Sequence, residues 1–348
     1  RGRIIVSHSQ ETNFPGVFAA GSATREDSIV GVSAAEGIKA AEAVARYLEK
    51  KKAEEEELKA QPAVEKQPPT RFMEGESVIL EAEDLSPEIV KWVVEAPLIA
   101  KHYQPGQFVV LRVTKKGERI PLTIAGVDKE QGTITLIFQK IGKTTKLMGT
   151  MKAGDRILNL LGPLGKPFEV KDKGTIVVLG GGCGVAPVLP KALSLKKEGN
   201  YVISIISARS SPLLICRSEM TEASNELYIA TDDGTEGYHG FGIDILKKFI
   251  EEGKKIDHVI AVGPIPMMRA VAELTKKHKI PTTVSLAPLM VDGTGMCGAC
   301  RVTVGGKIMF ACVDGPCFDG HQVDFEELAI RARAYLYEER ISDEEVYY

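Results

Sequence analysis

The sequence predicts an antiparallel β-barrel, then a doubly wound parallel α/β domain, then a small cysteine-bearing domain. Three observations carry this. Residues 72–170 alternate in the two-residue period of strands, divided by turns rich in Gly and Pro. Residues 171–285 switch to strands alternating with helices, the first strand running into a glycine loop. Four of the six cysteines, Cys297, Cys300, Cys312 and Cys317, fall within 21 residues.

The 348 residues have room for two or three domains. An apolar content of 44% and a charged content of 26% are ordinary for a soluble globular chain. A net charge of −3 gives no reason to expect nucleic acid or an anionic membrane surface as partner. No apolar run reaches the roughly 18 residues that a membrane span needs. Cys183 and Cys216 stand apart and are expected to be packed thiols. With no secretory signal, the cysteine usage points to a reducing, cytoplasmic compartment. High Lys and Glu with few aromatics fits a thermophilic source.

The chain starts at Arg1 and enters directly into Arg3-Ile-Ile-Val6, which reads as the tail of something longer. Residues 1–50 read as strand, turn and helix. Phe14–Gly21 is the strand, and Ser33–Lys50 an Ala-rich helix with Ile38, Ala41, Ala45 and Leu48 along one face. Residues 51–71 form a linker, in which a Lys/Glu run extends the helix into solvent before Gln61-Pro62 and Pro68-Pro69 break it.

In the barrel segment, strands are expected at 77–80, 91–94, 107–113 and 133–138. Two loops between them carry chemistry. Arg119-Ile-Pro-Leu-Thr123 offers a guanidinium to a phosphate and a hydroxyl near a strand end. Gly142-Lys-Thr-Thr145 begins a short helix whose free N–H groups favour an anion. Taken singly, each is also what a surface arginine or an ordinary N-cap looks like.

In the parallel domain, strands are expected at 175–179, 201–206, 227–230, 258–262 and 282–286, with helices at 243–252 and 267–278. After the first strand comes G-G-G-C-G-V-A-P, residues 180–187. Its glycines Gly181, Gly182 and Gly184 let a pyrophosphate approach the backbone, and Pro187 suits a first helical turn. Thr231-Asp232-Asp233-Gly234 and Gly263-Pro264-Ile-Pro-Met267-Met268 follow at later strand ends, where ordinary turn chemistry is the plainer explanation for either alone. After the second strand, Arg209, Ser211 and Arg217 lie where an adenosine ribose is read. An acid there would exclude a 2′-phosphate and none stands in that stretch, so NAD and NADP both stay open.

Cys297 and Cys300 form a C-x-x-C pair in a glycine-rich loop, and a hairpin turning at Gly305-Gly306 returns Cys312 to it. Two-iron clusters take four thiolates, with a run such as C-x4-C-x2-C and a distant fourth. That spacing fits if position 292 is the first ligand, and position 292 is Asp. Asp292, Cys297, Cys300 and Cys312 are therefore read as ligands of a [2Fe–2S] cluster. Cys317 is the alternative fourth ligand, and a zinc site and disulfides are the alternatives to the cluster. The nucleotide signatures upstream favour iron–sulfur.

These motifs carry a resemblance. Residues 105–108 (P-G-Q-F), 119–123 (R-I-P-L-T), 162–165 (G-P-L-G) and 180–187, in this order, resemble the ferredoxin–NADP reductase superfamily. From Glu74 to about Arg331 the chain is similar to the small, flavin-containing subunit of NADH-dependent ferredoxin–NADP oxidoreductase. It also resembles the sulfide dehydrogenase beta subunit and the electron-transfer subunit of dihydroorotate dehydrogenase. The resemblance implies an FAD barrel over 72–170, an NAD(P) domain over 171–285, a [2Fe–2S] domain over 286–325 and a C-terminal helix over 326–348, drawn from a single helix spanning Asp324–Arg340. Arg119 would pair with the FAD pyrophosphate, Gly142, Thr144 and Thr145 would cap its other end, and Pro121, Leu122 and Thr123 would line the isoalloxazine, with Thr123 at the hydride site. Gly181, Gly182, Gly184, Pro187, Arg209, Asp232, Gly263, Pro264 and Met267 would bind NAD(H) or NADP(H). Electrons would pass on to a larger FAD/[4Fe–4S] flavoprotein subunit, and indirectly to ferredoxin, in a cytoplasmic hetero-oligomer. Bifurcation would need a second flavin in that partner. A sulfide dehydrogenase or sulfur reductase subunit, or an NAD(P)H-sensing regulatory module with zinc, are the other functions these residues allow. Residues 1–50 resemble the C-terminal end of a glutamate-synthase-small-subunit-like flavoprotein, with Ser22 where that family has Asp; a docking arm is the equal alternative.

Overall fold

The computed structural model describes residues 18–19, 30–60, 77–169 and 173–344. The chain forms two compact units, Arg1–Pro68 with Tyr347–Tyr348, and Pro69–Val346. In the first, helix α1 (Val30–Ala60) buries Ala43 and sets Tyr47 edge-to-face on Phe18, ring centroids 6.0 Å apart. It runs past Lys50 through strong helix formers and stops before Gln61-Pro62. The expected strand over 14–21 lies outside the described residues apart from 18–19, as do Ser22 and residues 61–76.

The second unit begins with an antiparallel barrel. Its strands are β1 (Ser77–Ser86), β2 (Ile89–Glu95), β3 (Phe108–Arg112), β4 (Ile120–Asp128), β5 (Thr133–Gln139), β6 (Arg156–Ile157) and β7 (Asn159–Leu164), with short helices α2 (Pro97–His102) and α3 (Lys143–Met148). The order is β6-β1-β2-β5-β4-β3-β7. Its two outer strands, β6 and β7, are separated in the chain by Leu158 alone, so the sheet edges must meet and the barrel is nearly closed. Strand alternation sorts the side chains of β3. Val109 and Leu111 join Trp92 and Phe138 in the barrel core, while Phe108 and Val110 belong to a second core shared with the domains that follow.

One expected loop is a strand. Residues Ile120–Thr123 open β4, and Pro121 lies inside it. The arrangement is permitted because β4 pairs with β5 only from Ile124 onward, leaving Ile120–Thr123 with β3 on one side and a free edge on the other.

The parallel sheet contains β8 (Thr175–Gly181), β9 (Tyr201–Ala208), β10 (Glu226–Thr231), β11 (Tyr238–His239), β12 (His258–Val262) and β13 (Thr282–Ser285), in the order β11-β10-β9-β8-β12-β13. Helices α4 (Val185–Lys197), α5 (Arg217–Ala223), α6 (Gly242–Glu251) and α7 (Ile265–Lys277) cover it. This is a doubly wound sheet whose topological switch lies between β8 and β12.

The cysteine segment adds the hairpin β14 (Arg301–Val304) and β15 (Lys307–Phe310), then β16 (Cys317–Asp319), which extends the parallel sheet by pairing antiparallel with β13. The C-terminal helix differs from expectation: it is two, α8 (Phe325–Arg331) and α9 (Leu336–Glu344). Between them the backbone bonds tighten, with Arg333 N donating to Ile330 O, Ala334 N to Arg331 O and Leu336 N to Arg333 O. That i−3 winding separates the two helices without Gly or Pro to announce it.

Candidate functional site

The free edge of β4 forms the first part of the site. Antiparallel pairing sets Thr123 opposite Phe108, Leu122 opposite Val109 and Pro121 opposite Val110. Pro121 and Thr123 thus share the outer face with Phe108 and Val110, while Leu122 packs against the barrel core. Of the three residues expected to line a ring system, Leu122 offers backbone rather than side chain. The Thr123 hydroxyl and the exposed Arg119 guanidinium have no hydrogen-bond or ionic partner among the described residues. The Thr144 hydroxyl donates to the Glu118 carboxylate, which joins the start of α3 to the segment just before Arg119. Thr145 Oγ1 accepts from the backbone N–H groups of Ile141 and Gly142, both at 3.1 Å. The Thr144 hydroxyl thus ties two segments together and that of Thr145 serves its own turn, while Gly142 and Arg119 are exposed.

The glycine loop follows β8, with Gly182–Gly184 a tight turn before α4 and Pro187 in the helix's first turn. A Cβ on Gly184 would strike the Val262 carbonyl oxygen. One on Gly181 would lie 2.6 Å from Met267 Sδ, and one on Gly263 3.2 Å from Gly181 N. The loop therefore packs directly on Gly263, Pro264 and Met267, and the two expected nicotinamide-side segments meet. Gly182 differs: its φ is +55° and a Cβ there would meet nothing within 4 Å, so space stands open over the loop.

At the far end of this domain lie the residues expected to meet the adenosine ribose. Arg209, expected to face a nucleotide, pairs with Glu88 at 3.2 Å. In the β10–β11 loop, Glu236 bonds both Arg217 and Ser211. Asp232 is exposed in the same loop and its N–H donates to Ala208 O at 3.1 Å.

The cysteine loop collects four donors as two pairs. Asp292 Oδ1 lies 3.1 Å from Cys297 Sγ, and Cys300 Sγ 3.2 Å from Cys312 Sγ. Gly293, Gly295 and Gly298 have φ of +76°, +84° and +68°, which wraps the backbone around them. The Cys297 thiol, with Thr294 and the N–H groups of Thr294 and Met296, holds the Asp292 carboxyl far below the usual carboxylate range. Burial, then Cys300, push the Cys312 thiol up to about 12, so a metal there must displace a proton. No three His, Cys, Asp or Glu side chains among the described residues form a single-ion group. Three thiols and a carboxylate are donors that an iron–sulfur cluster could take. Cys317 lies apart on β16, half-buried against the core of the parallel domain.

The cysteine loop docks on the barrel strands β3 and β7. A Cβ on Gly293 would lie 2.7 Å from Leu164 Cδ1 of β7 and 3.1 Å from Val110 Cγ2 of β3. One on Gly165 would meet Phe108 Cε1 at 2.9 Å and Gly315 O at 3.0 Å, and Lys166 N donates to Gly315 O at 2.7 Å. Val110 and Phe108 are the partners of Pro121 and Thr123, so the loop sits one strand away from them.

Comparison with known proteins agrees with this architecture. Residues 288–324 match the model of the iron–sulfur cluster binding domain of dihydroorotate dehydrogenase B. A dihydroorotate dehydrogenase B (NAD(+)) electron transfer subunit homolog from Thermotoga maritima is 44% identical over 260 residues, 75% of this chain and 92% of that protein. The corresponding subunit of Desulforamulus reducens is 32% identical over 240 residues, 67% of this chain and 91% of that one. A chain in a solved structure of NADH-dependent reduced ferredoxin-NADP oxidoreductase, studied for flavin-based electron bifurcation, aligns with a TM-score of 0.74 at 42% identity, covering 77% of this chain and 97% of that one. A cytochrome P450 reductase from Amycolatopsis shares the fold at 23% identity, with a TM-score of 0.52 over 59% of this chain and 66% of that one. The chain therefore belongs to the family of dihydroorotate dehydrogenase B electron transfer subunits, and is an oxidoreductase subunit of the electron-transfer class.

Proposed function

We propose that this chain binds NAD(P)H at the glycine loop, that the free edge of β4 would hold the FAD that accepts its hydride, and that Asp292, Cys297, Cys300 and Cys312 would hold a [2Fe–2S] cluster supplying one-electron transfer. The observation that carries this reading is the docking of Gly293 onto Val110 and Leu164, which sets the cluster loop beside the Pro121–Thr123 edge. When bound, FAD accepts an electron pair as hydride and releases electrons singly, and the cluster carries one at a time. The protein supplies positions and charges. Arg119 is the cation for the flavin pyrophosphate. Thr123 presents a hydroxyl on the same face as the cluster loop. Gly182 leaves space over the loop for the nucleotide, and Gly181, Gly184, Gly263, Pro264 and Met267 fix the shape of that space.

Electrons leave towards a larger partner subunit. Around the cluster loop, Leu289, Val291, Met296 and Val313 are exposed apolar side chains, with Met296 at 86%, and Cys297 is itself exposed. An apolar rim around an exposed ligand is what a flavoprotein partner would cover. No helix among the described residues is long and apolar enough to cross a membrane.

The test is the composition of the purified protein with its electron paramagnetic resonance spectrum after NADH and then NADPH. About two irons with acid-labile sulfide, and about one FAD per chain, with a reduced-cluster signal on nucleotide addition, are expected. Zinc without a signal would sink the proposal.

A further inference from the structure

The geometry points to Glu236 as the residue that selects the dinucleotide, by holding a carboxylate where NADP would bring its 2′-phosphate. The inference rests on the nucleotide reading of the parallel domain and adds a specificity-determining residue to it.

A dinucleotide lies outside the carboxyl ends of the strands of such a sheet, and its adenosine ribose is met at the end of the strand beside the glycine-loop strand. That strand is β9, followed by Arg209-Ser210-Ser211. The β10–β11 loop folds back over this end. Asp232 N donates to Ala208 O and Asp233 N to Arg209 O, each at 3.1 Å, and Ser211 N donates to Thr235 Oγ1 at 2.9 Å. Asp233 Oδ1 in turn accepts from Thr235 N and Oγ1 at 3.0 and 2.6 Å. The backbone of Glu236 is clamped by the fully buried Thr231, whose Oγ1 accepts from Glu236 N at 3.0 Å and donates to Glu236 O at 2.7 Å. The carboxylate is thus delivered by a fixed loop.

Its side chain settles the chemistry. Glu236 Oε2 accepts from Ser211 Oγ at 2.6 Å and from Arg217, while Oε1 accepts nothing among the described residues. Serine and arginine are the two groups that would grip a 2′-phosphate, and both are spent on this one oxygen. The other arginine of the region, Arg209, is spent on Glu88. Counting Asp232 and Asp233, carboxylates outnumber guanidiniums here, so a dianionic phosphate meets repulsion. A ribose that keeps its 2′-hydroxyl can donate to Oε1. A half-exposed ion pair does little for folding; rejecting a like charge is what this arrangement does well.

The test uses the flavin-loaded protein as purified, with ferricyanide as acceptor. NADH is expected to exceed NADPH in kcat/KM by about a hundredfold or more, the scale that a like charge set against the 2′-phosphate gives. Glu236→Gln removes the charge at constant shape. It is expected to raise kcat/KM for NADPH about tenfold or more, chiefly through KM, and Arg217→Gln in that background is expected to cancel the gain. Glu236→Asp should keep the preference for NADH. Competition by 2′,5′-ADP against 5′-ADP on the unmodified protein gives the same answer without any variant, the 2′-phosphate weakening binding. Equal use of both nucleotides, tighter binding of 2′,5′-ADP, or a ratio that Glu236→Gln leaves unchanged would overturn the assignment of Glu236 alone. Reduction by neither nucleotide would overturn the nucleotide reading and the assignment together.

Discussion

Asp292 is the residue on which the cluster proposal differs from an all-thiolate site. Its carboxylate stands beside Cys297 with three further donors from the loop, so it is ionised and oriented before any metal arrives. A thiolate donates more charge to iron than a carboxylate oxygen, and ligand type is a main lever on cluster potential. Asp292→Cys is therefore expected to keep the cluster and lower its reduction potential, measured by redox titration of the reduced-cluster signal. An unchanged potential would remove Asp292 from the ligand set. The sequence alone singles this residue out as a candidate, because C-x4-C-x2-C spacing marks position 292 whatever stands there. Glu236 was not. It reaches Ser211 across 25 positions of chain, and only the fold-back of the β10–β11 loop, in which Gly237 presses on the Ile229 carbonyl, brings the two together. The Thr144 bond to Glu118, 26 positions earlier, was illegible for a related reason: only the folded barrel brings the two together.

Elements were legible where local chemistry and tertiary pairing agree. The hairpin turn at Gly305-Gly306 has φ of +58° and +74°, the double positive φ that makes glycine at both corners a turn signal. The start of β4 was illegible for the opposite reason. Proline argues against a strand, and only the late start of its pairing with β5 makes room for Pro121. That same free edge is what the proposed flavin site uses, so the departure from strand rules and the function coincide. At the C-terminal end, periodicity over 324–340 showed one helix face and could not show the tightened turn after α8. The start of α8 is explicit: Asp324 Oδ1 accepts from Glu326 N and Glu327 N at 3.1 and 2.9 Å. Asp324→Ala is expected to cost about 1 kcal/mol of stability by loss of this cap, read from the denaturant midpoint, with nucleotide-dependent flavin reduction retained. A loss well beyond that would mean that α8 holds the cysteine loop, for which the Arg331 bond to Ala299 O at 2.9 Å is the available contact.

At the scale of the molecule, the order of the three parts in the chain differs from their order in space. The cysteine segment comes last, yet β16 closes the edge of the parallel sheet and the loop at Asp292 returns to the barrel strands β3 and β7. One core holds Phe108 and Val110 of the barrel, Val177 and Leu179 of the parallel sheet, and Cys300 and Cys312 of the cysteine loop. Such shared burial fixes separations that one-electron transfer needs fixed. It also makes the seam testable. Gly293→Ala puts a methyl group 2.7 Å from Leu164 Cδ1 and 3.1 Å from Val110 Cγ2, at a φ of +76° that alanine resists by about 1–2 kcal/mol. The loop must give by a few tenths of an ångström while the glycine loop and the Arg119 edge stay untouched. Stopped-flow mixing with NADH is then expected to show flavin bleaching at the unmodified rate and a slower rise of the reduced-cluster signal in freeze-quenched samples. Equal slowing of both phases would mean general loosening of the fold, and no slowing of either would mean that electrons reach the cluster by another face.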